Sequence, residues 1–276
     1  MNSAATPAAD TVITFNDVHM EFGEGDILRG ISFEAKQKET VILLGETGTG
    51  KTLLLKLAAG LIHPSQGNIQ ILGQDISEMK ERELLPFRSK IGFVFQEGAL
   101  FDSLTVGENV AYRLSEDRVP EGEIDSRVRE VLSFVELEHT MELLSSELSG
   151  GMRRRVAIAR ALVNRPAIVL YDSPTAGLDP VTSQTIITLL LRLRDVYGVT
   201  ALLATHRLQD GFALANFRFD SASKHVVPFN EGEQLDGAGE APLTRFIVLR
   251  DGKIYWQGSP KEILASGDRY LKRFLI

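Results

Sequence analysis

Short apolar runs alternate with amphipathic segments along most of the chain after residue 40. The runs typical of strands buried on both faces are residues 40–44, 91–95, 167–171 and 200–204. The main segments with helical spacing of apolar positions are residues 52–59, 124–135, 153–163 and 182–196. This alternation predicts an α/β domain with a largely parallel central sheet.

Two further units are predicted around that sheet. The first 40 residues alternate in polarity with a turn near residues 23–26, and residues 67–71 continue the pattern, which predicts a small antiparallel β subdomain. Residues 97–164 are mainly helical and lie between two core strands, so a helical subdomain is expected there.

The segment from about residue 217 to residue 244 differs from the rest because it is acidic, contains glycine and shows no clear period. Its acidic residues and glycines are Asp220, Glu231, Glu233, Asp236, Gly237, Gly239 and Glu240. A loop or partly disordered insertion is expected. A regulatory or partner-binding element is the alternative.

Composition narrows the function classes. The net charge of −7 and the pI near 5.4 argue against a nucleic-acid partner held by a basic surface. The absence of cysteine excludes disulfides and thiolate chemistry. No run of about 18 apolar residues occurs, so any membrane role is expected to act through a partner. Residues 1–10 resemble no secretory signal and are expected to form a disordered tail before one domain at 11–276.

The clearest motif is Gly-Glu-Thr-Gly-Thr-Gly-Lys-Thr at residues 45–52, which follows an apolar strand and opens a helix. Its glycines allow backbone amides to converge on phosphate oxygens, where the helix N-terminus favours negative charge. Lys51 is expected to reach the β- and γ-phosphates of ATP, and the Thr52 hydroxyl to ligate Mg²⁺. The predicted phosphate-loop residues are Gly45, Glu46, Thr47, Gly48, Thr49, Gly50, Lys51 and Thr52.

A second feature expected at the metal is Asp172, which ends the apolar run that begins at Ile168. A buried strand that delivers a carboxylate at its C-terminal edge suits a direct or outer-sphere Mg²⁺ ligand. The pattern is weak evidence for a metal ligand by itself and strong evidence when the phosphate loop is also present.

A second glycine turn, Leu148-Ser-Gly-Gly-Met, precedes a helix with Ser149 as the expected N-cap. Together with Gly150 and Gly151 it predicts another anion-binding helix terminus. One chain with two phosphate-binding turns and one nucleotide is explained if two subunits face each other. The sequence resembles the ATPase subunits of ABC transporters, whose signature begins Leu-Ser-Gly-Gly, from about residue 12 to the C-terminus.

The resemblance implies roles for four further residues. Gln96 resembles the Q-loop glutamine, which contacts Mg²⁺ and the attacking water, and His206 resembles the switch histidine near the γ-phosphate. Asp179 in Ala-Gly-Leu-Asp resembles the D-loop aspartate at the dimer interface. Phe22 lies where the family places an aromatic ring against adenine. The implied assembly is a homodimer that closes around ATP.

One position departs from the family. The aspartate that ends the second strand is normally followed by a glutamate that orients or deprotonates the attacking water, whereas here Asp172 is followed by Ser173. A serine hydroxyl is too weak a base near neutrality. Three explanations stay open: slow hydrolysis that relies on Gln96, His206 and metal positioning, an ATP-binding clamp that hardly hydrolyses, or an introduced substitution.

The run Ala-Leu-Phe-Asp-Ser-Leu-Thr-Val at residues 99–106 resembles the ATPases of Mla/Mce-type lipid transport systems. The resemblance implies an integral permease contacted around residues 96–106, and a peripheral position on the cytoplasmic side of a bacterial inner membrane. A regulatory ATP-binding subunit is one alternative. A soluble ABC ATPase of translation or DNA repair is another, disfavoured by the single cassette, the lack of heptads and the acidic balance.

Overall fold

The computed structural model describes residues 10–23, 25–229 and 244–275. The strands are β1 (Thr11–Phe22), β2 (Gly25–Lys36), β3 (Thr40–Leu44), β4 (Gln66–Ile71), β5 (Gln74–Asp75), β6 (Ile91–Val94), β7 (Ile168–Asp172), β8 (Thr200–Thr205), β9 (Phe217–Asp220), β10 (His225–Pro228), β11 (Thr244–Arg250) and β12 (Lys253–Gly258). The α-helices are α1 (Lys51–Ala58), α2 (Glu81–Arg88), α3 (Val106–Glu116), α4 (Glu121–Phe134), α5 (Gly150–Leu162), α6 (Pro180–Arg192), α7 (Leu208–Asn216), α8 (Pro260–Ala265) and α9 (Arg269–Leu275).

The main sheet has six strands in the order β12-β11-β3-β8-β7-β6, and every neighbouring pair except β11–β12 is parallel. Every residue of β3, β7 and β8 is buried, which explains why these strands read as unbroken apolar runs. The predicted α/β domain with a largely parallel sheet is confirmed. In the ranges that the structure describes, no helix has the length and apolar character needed to cross a bilayer.

Two cores lie on the two faces of this sheet, and β3 contributes to both. Val41 and Leu43 pack against the antiparallel sheet and α1, whereas Ile42 and Leu44 pack against the helical side. The alternation follows from the two-residue period of a strand, in which successive side chains point to opposite faces. The central strands are therefore covered on one face by the antiparallel sheet and α1 and on the other by the helical side.

The smaller sheet is antiparallel, in the order β2-β1-β4-β5, as the alternating N-terminal pattern predicts. Helices α3, α4 and α5 follow β6 in the chain and precede β7, which places the helical subdomain where it was expected. The exact limits proposed for it, residues 97–164, stay a prediction.

The prediction of a loop at residues 217–244 was wrong for its first part. Strands β9 and β10 pair as an antiparallel hairpin, from Phe217 opposite Pro228 to Asp220 opposite His225. The hairpin was missed because its short strands carry charged and polar residues and its side chains are only partly buried. Residues 230–243 lie outside the described part of the chain.

A buried ion pair fastens this hairpin to the domain. Helix α6 continues as a π-helical turn, Leu193–Tyr197, in which Arg194 Nε lies 2.6 Å from Asp195 Oδ1. The two side chains are 5% and 3% exposed. Arg194 also donates to the carbonyl oxygens of Leu214 and Phe217, and Asp195 accepts from the amide of Phe219. Their mutual bonds offset the desolvation of two charges.

Breaking this pair is expected to destabilise the domain. Arg194→Met leaves Asp195 as a buried charge without its counter-ion, and the free energy of unfolding should fall by about 3–5 kcal/mol. Chemical denaturation measures the change. Arg165→Met is the matched control, because Arg165 and its partner Glu130 are 69% and 49% exposed, and it should cost under about 1 kcal/mol. Equal losses in both variants would contradict the assignment.

Candidate functional site

The C-terminal ends of the parallel strands lie at one edge of the sheet and carry the predicted site residues. The phosphate loop at residues 45–52 follows β3, and Gln96 follows β6. Asp172 and Ser173 end and follow β7, and His206 follows β8. Ligands of open parallel sheets bind at this edge, so residues far apart in the chain come together there.

Close packing requires two of the loop glycines. Gly50, the N-cap of α1, has φ 97°, and a Cβ there would lie 2.5 Å from Leu28 Cδ2. A Cβ on Gly45 would lie 2.8 Å from the carbonyl oxygen of Leu249 in β11. Side chains at these positions would push the loop off its two neighbours. The loop is therefore shaped by packing as well as by its backbone conformation.

Lys51 is held inside the loop. Its Nζ donates to the carbonyl oxygens of Gly45 and Glu46, each at 2.8 Å. Burial lowers the pKa of Lys51, and the nearby Asp172 carboxylate opposes that shift. An incoming phosphate would offer the half-buried ammonium stronger, charge-assisted partners than two carbonyls.

Thr52 and Asp172 form the candidate Mg²⁺ site. Thr52 Oγ1 donates to Asp172 Oδ1 at 3.1 Å, and Asp172 is only 6% exposed. Hydroxyl and carboxylate oxygens are the ligands that Mg²⁺ accepts, and they stand at the N-terminus of the helix that follows the phosphate loop. The residues present therefore fit the metal that the motif implies.

An open cleft of about 470 Å³ joins the remaining site residues. Its lining comprises Ile27, Thr47, Gly48, Gly50, Lys51, Thr52, Leu53, Lys56, Gln96, Ser173 and His206. The structure thus brings the loop, the glutamine, the serine and the histidine together. Ile27, Leu53 and Lys56 were missed, because a strand residue and two helix residues outside the motif give no signal. The side chain of Phe22, expected on adenine, lies outside the described residues.

The second glycine turn does not line this cleft. Ser149 caps α5, its Oγ accepting from the Met152 amide at 3.2 Å, and both Ser149 and Gly150 are exposed. A Cβ on Gly151 would lie 2.4 Å from Thr182 Cγ2 in α6, so this glycine is required by packing inside the chain. The turn therefore forms an exposed helix N-terminus outside the cleft.

Asp179 also lies outside the cleft, as the N-cap of α6. Its Oδ1 accepts from the Thr182 amide at 3.0 Å and its Oδ2 from the Thr182 hydroxyl at 2.5 Å. The bonds from the Thr182 side chain and amide lower the pKa of Asp179. The carboxylate is exposed and ionised, at a surface that is free in the single chain.

A buried arginine connects the backbone before Gln96 to the turn after β7, and it was not predicted from the sequence. Arg154 belongs to the run of three arginines at residues 153–155, and it is only 6% exposed. Its guanidinium donates to the carbonyl oxygens of Phe95, Ser173 and Ala176 at 3.3–3.4 Å. One side chain of α5 therefore touches the backbone before Gln96 and the turn after β7.

Comparison with known proteins identifies the family of the chain. The family model described as ABC transporter matches residues 28–176. The chloroplastic protein TRIGALACTOSYLDIACYLGLYCEROL 3 of Arabidopsis thaliana is 36% identical, over 96% of this chain and 74% of its own length. The intermembrane phospholipid transport system ATP-binding protein MlaF of Haemophilus influenzae is 34% identical, over 83% and 88%. The methionine import ATP-binding protein MetN of Bifidobacterium longum is 36% identical, but this chain spans 62% of its length.

The solved structures to which the chain is similar include an ATP-binding cassette and a component of an ABC transporter. The ATP-binding cassette MJ0796, a dimer in a post-hydrolysis state bound to ADP and phosphate, superposes with a TM-score of 0.74 at 29% identity, over 90% of this chain and 98% of that one. CbiO1 of Clostridium perfringens, part of the ABC transporter complex cbiONQ, superposes with a TM-score of 0.76 at 28% identity, over 96% and 95%.

Replacing Lys51 is expected to weaken Mg-ATP binding. Lys51→Ala removes a charged donor from the phosphate cradle, and a charge-assisted hydrogen bond contributes about 1.5–3 kcal/mol, so affinity should fall about 10- to 100-fold. Isothermal titration of the purified chain measures it. Lys253→Ala, which removes an exposed charge on β12, is the control and should leave affinity unchanged. Unaltered binding by Lys51→Ala would refute the assignment.

Proposed function

The chain belongs to the ABC transporter family as an ATP-binding subunit, and from that premise we propose that it couples Mg-ATP binding and slow hydrolysis to lipid transport by an integral membrane permease. One observation supports the ATP site: residues of the phosphate loop line the same cleft as Gln96, Ser173 and His206. The finer assignment, to lipid cargo, draws on the segment at residues 99–106.

In this proposal, the phosphate loop and Lys51 bind the triphosphate, and Thr52, Gln96 and Asp172 hold the metal. Bound Mg²⁺ would offset the negative charge of the phosphate oxygens. Gln96 and His206 line the cleft and present polar groups to a water that attacks the γ-phosphate. Their contribution is orientation, because neither group stands where the family places its catalytic carboxylate.

We propose that the functional unit is a homodimer with two shared ATP sites. Ser149, Gly150 and Gly151 lie apart from the phosphate loop of their own chain, and two of the three residues are exposed. An exposed helix N-terminus is suited to the phosphates of a nucleotide held by a second subunit. Exposed Asp179 would then lie at the same interface. The similarity to a dimeric cassette supports this arrangement.

Ser173 supports slow hydrolysis. The residue has φ 48°, its amide donates to the Ala204 carbonyl at 2.8 Å, and its side chain lines the cleft. A hydroxyl there can hydrogen-bond a water without removing its proton at neutral pH. The same observation favours a second candidate function, a regulatory clamp that binds ATP and hardly hydrolyses it.

Lipid cargo is proposed over methionine for two reasons. The run at residues 99–106 resembles Mla/Mce-type ATPases, and the chain spans 88% of the phospholipid-system relative but 62% of the methionine importer. The proposed location is peripheral, on the cytoplasmic face of a bacterial inner membrane. Reconstitution with the permease separates the cargoes: phospholipid transfer is expected, and ATP-dependent methionine uptake alone would overturn the lipid assignment.

Restoring the carboxylate is expected to accelerate hydrolysis. Ser173→Glu supplies a positioned base, which typically contributes a factor of about 10²–10⁴. ATP turnover of the complex with its permease is the measurement. Ser173→Gln is the control, because it adds similar bulk without a base. Wild-type turnover at about 1–100 per second, with no gain in Ser173→Glu, would refute slow hydrolysis.

The permease is expected to contact an exposed aromatic pair formed by Phe101, in the segment at residues 96–106, and Tyr112 of α3. Phe101 and Tyr112 are each 43% exposed, with ring centroids 4.7 Å apart. Phe101→Glu would place a charge in that contact and should reduce co-purification of the permease about tenfold or more. Phe217→Glu, at a similarly exposed phenylalanine of β9, should leave it unchanged. A wild-type chain that never co-purifies with a permease would favour a soluble ABC ATPase.

A further inference from the structure

Asp210, in the first turn of α7, is a buried carboxylate that neither the phosphate loop nor the metal site uses. It is 3% exposed. A carboxylate removed from water is strongly unfavourable unless polar partners surround it, so the groups that satisfy it are part of its role. Those groups come from two segments that flank the site, the turn after β7 and the C-terminal end of β8.

Two threonine hydroxyls share one oxygen of this carboxylate. Thr175 Oγ1 donates to Asp210 Oδ2 at 2.5 Å, and Thr205 Oγ1 donates to the same atom at 3.2 Å. Each threonine is 1% exposed. Thr175 lies two residues after Ser173, and Thr205 immediately precedes His206. A single oxygen atom thus fixes the distance between the two turns.

Arg207 extends the network towards the start of α6. Its Nε lies 3.8 Å from Asp210 Oδ1, and its Nη1 donates to Ser183 Oγ at 3.2 Å. The Arg207 amide also donates to Thr205 Oγ1 at 3.0 Å. Ser183 belongs to the first turn of α6, the helix that Asp179 caps. Both sides of the Asp179 turn are therefore connected to the residues on either side of His206.

We propose that Asp210 is a positioning residue that holds the turn bearing Ser173 and Asp179 in register with the strand end bearing His206. The proposal rests on the proposed ATPase function. Without the shared carboxylate, the bonds from the Ser173 amide to the Ala204 carbonyl and from Arg207 to Ser183 would remain, but the buried link between Thr175 and Thr205 would be lost. Displacements of about 1 Å are enough to cost about a hundredfold in rate.

Asp210 couples the two groups without touching the cleft itself, since neither it nor the two threonines belong to the cleft lining. The phosphate loop and Lys51 are held by separate contacts to Leu28, Leu249 and the loop carbonyls. Loss of the network should therefore affect turnover much more than nucleotide affinity. That separation distinguishes positioning from a general contribution to folding.

The test variant removes the hydroxyl of Thr175 and keeps the branched shape of the side chain. Thr175→Val deletes the donor to Asp210 Oδ2, and ATP turnover of the permease complex should fall about 10- to 100-fold. The Kd for Mg-ATP should stay within about twofold. Thr175→Ser restores the hydroxyl and should recover most of the turnover. Thr185→Val is the matched control, because the exposed Thr185 hydroxyl donates to the Val181 carbonyl of its own helix.

A second measurement needs no nucleotide. Hydrogen exchange of the peptide spanning residues 205–209 should become faster in Thr175→Val, because the substitution loosens a turn that is distant in sequence. Thr175→Ser and Thr185→Val should exchange as wild type does. Faster exchange supports the coupling even if the wild-type chain proves to be a clamp without turnover.

Two results would overturn the proposal. If Thr175→Val turns over ATP as fast as the wild-type chain, or loses Mg-ATP affinity to the same extent as turnover, the threonine does not act through position. Unchanged exchange at residues 205–209 would show that the two turns are not coupled. Failure of the wild-type chain to bind Mg-ATP would instead refute the proposed function, and the exchange measurement would still decide the coupling.

Discussion

Burial of the central parallel strands on both faces is the constraint on which the rest of the structure depends. Because β3, β7 and β8 have no solvent-exposed residue, polar chemistry can only appear where these strands end. Parallel direction then puts those ends at one edge. The phosphate loop, Asp172 and His206 are neighbours for that reason, although more than 150 residues of sequence separate the loop from the histidine.

Features with a strong local signal were predictable from the sequence. The apolar strands and the phosphate loop combine a pattern with a physical requirement, and residues 45–52 and Asp172 lie where those patterns indicate. The β9–β10 hairpin was not predictable, because its partly buried, polar strands are stabilised by the distant pair Arg194–Asp195. Long-range contacts of this kind leave no period in the sequence.

The same limit applies inside the site. Asp210 and Arg154 look like ordinary charged residues of amphipathic helices, and only the fold reveals that they are buried against backbone and hydroxyl groups of distant turns. Ser173 is the opposite case. Its unusual identity was visible in the sequence, but the structure adds that it lines the cleft in a left-handed backbone conformation. In the proposed mechanism, nucleotide binding and bond cleavage therefore depend on separable groups.

The Ser149–Gly151 turn lies outside the cleft of its own chain, and this separation has a genetic consequence. If each ATP site joins the phosphate loop of one subunit to this turn of the other, the loop and the turn of any one chain belong to different sites of the dimer. A loop defect and a turn defect in the same chain would therefore damage both sites. A mixed dimer of a loop-defective chain and a turn-defective chain would gather both defects in one site and leave the second site intact. Two inactive alleles could then complement each other within a single cell.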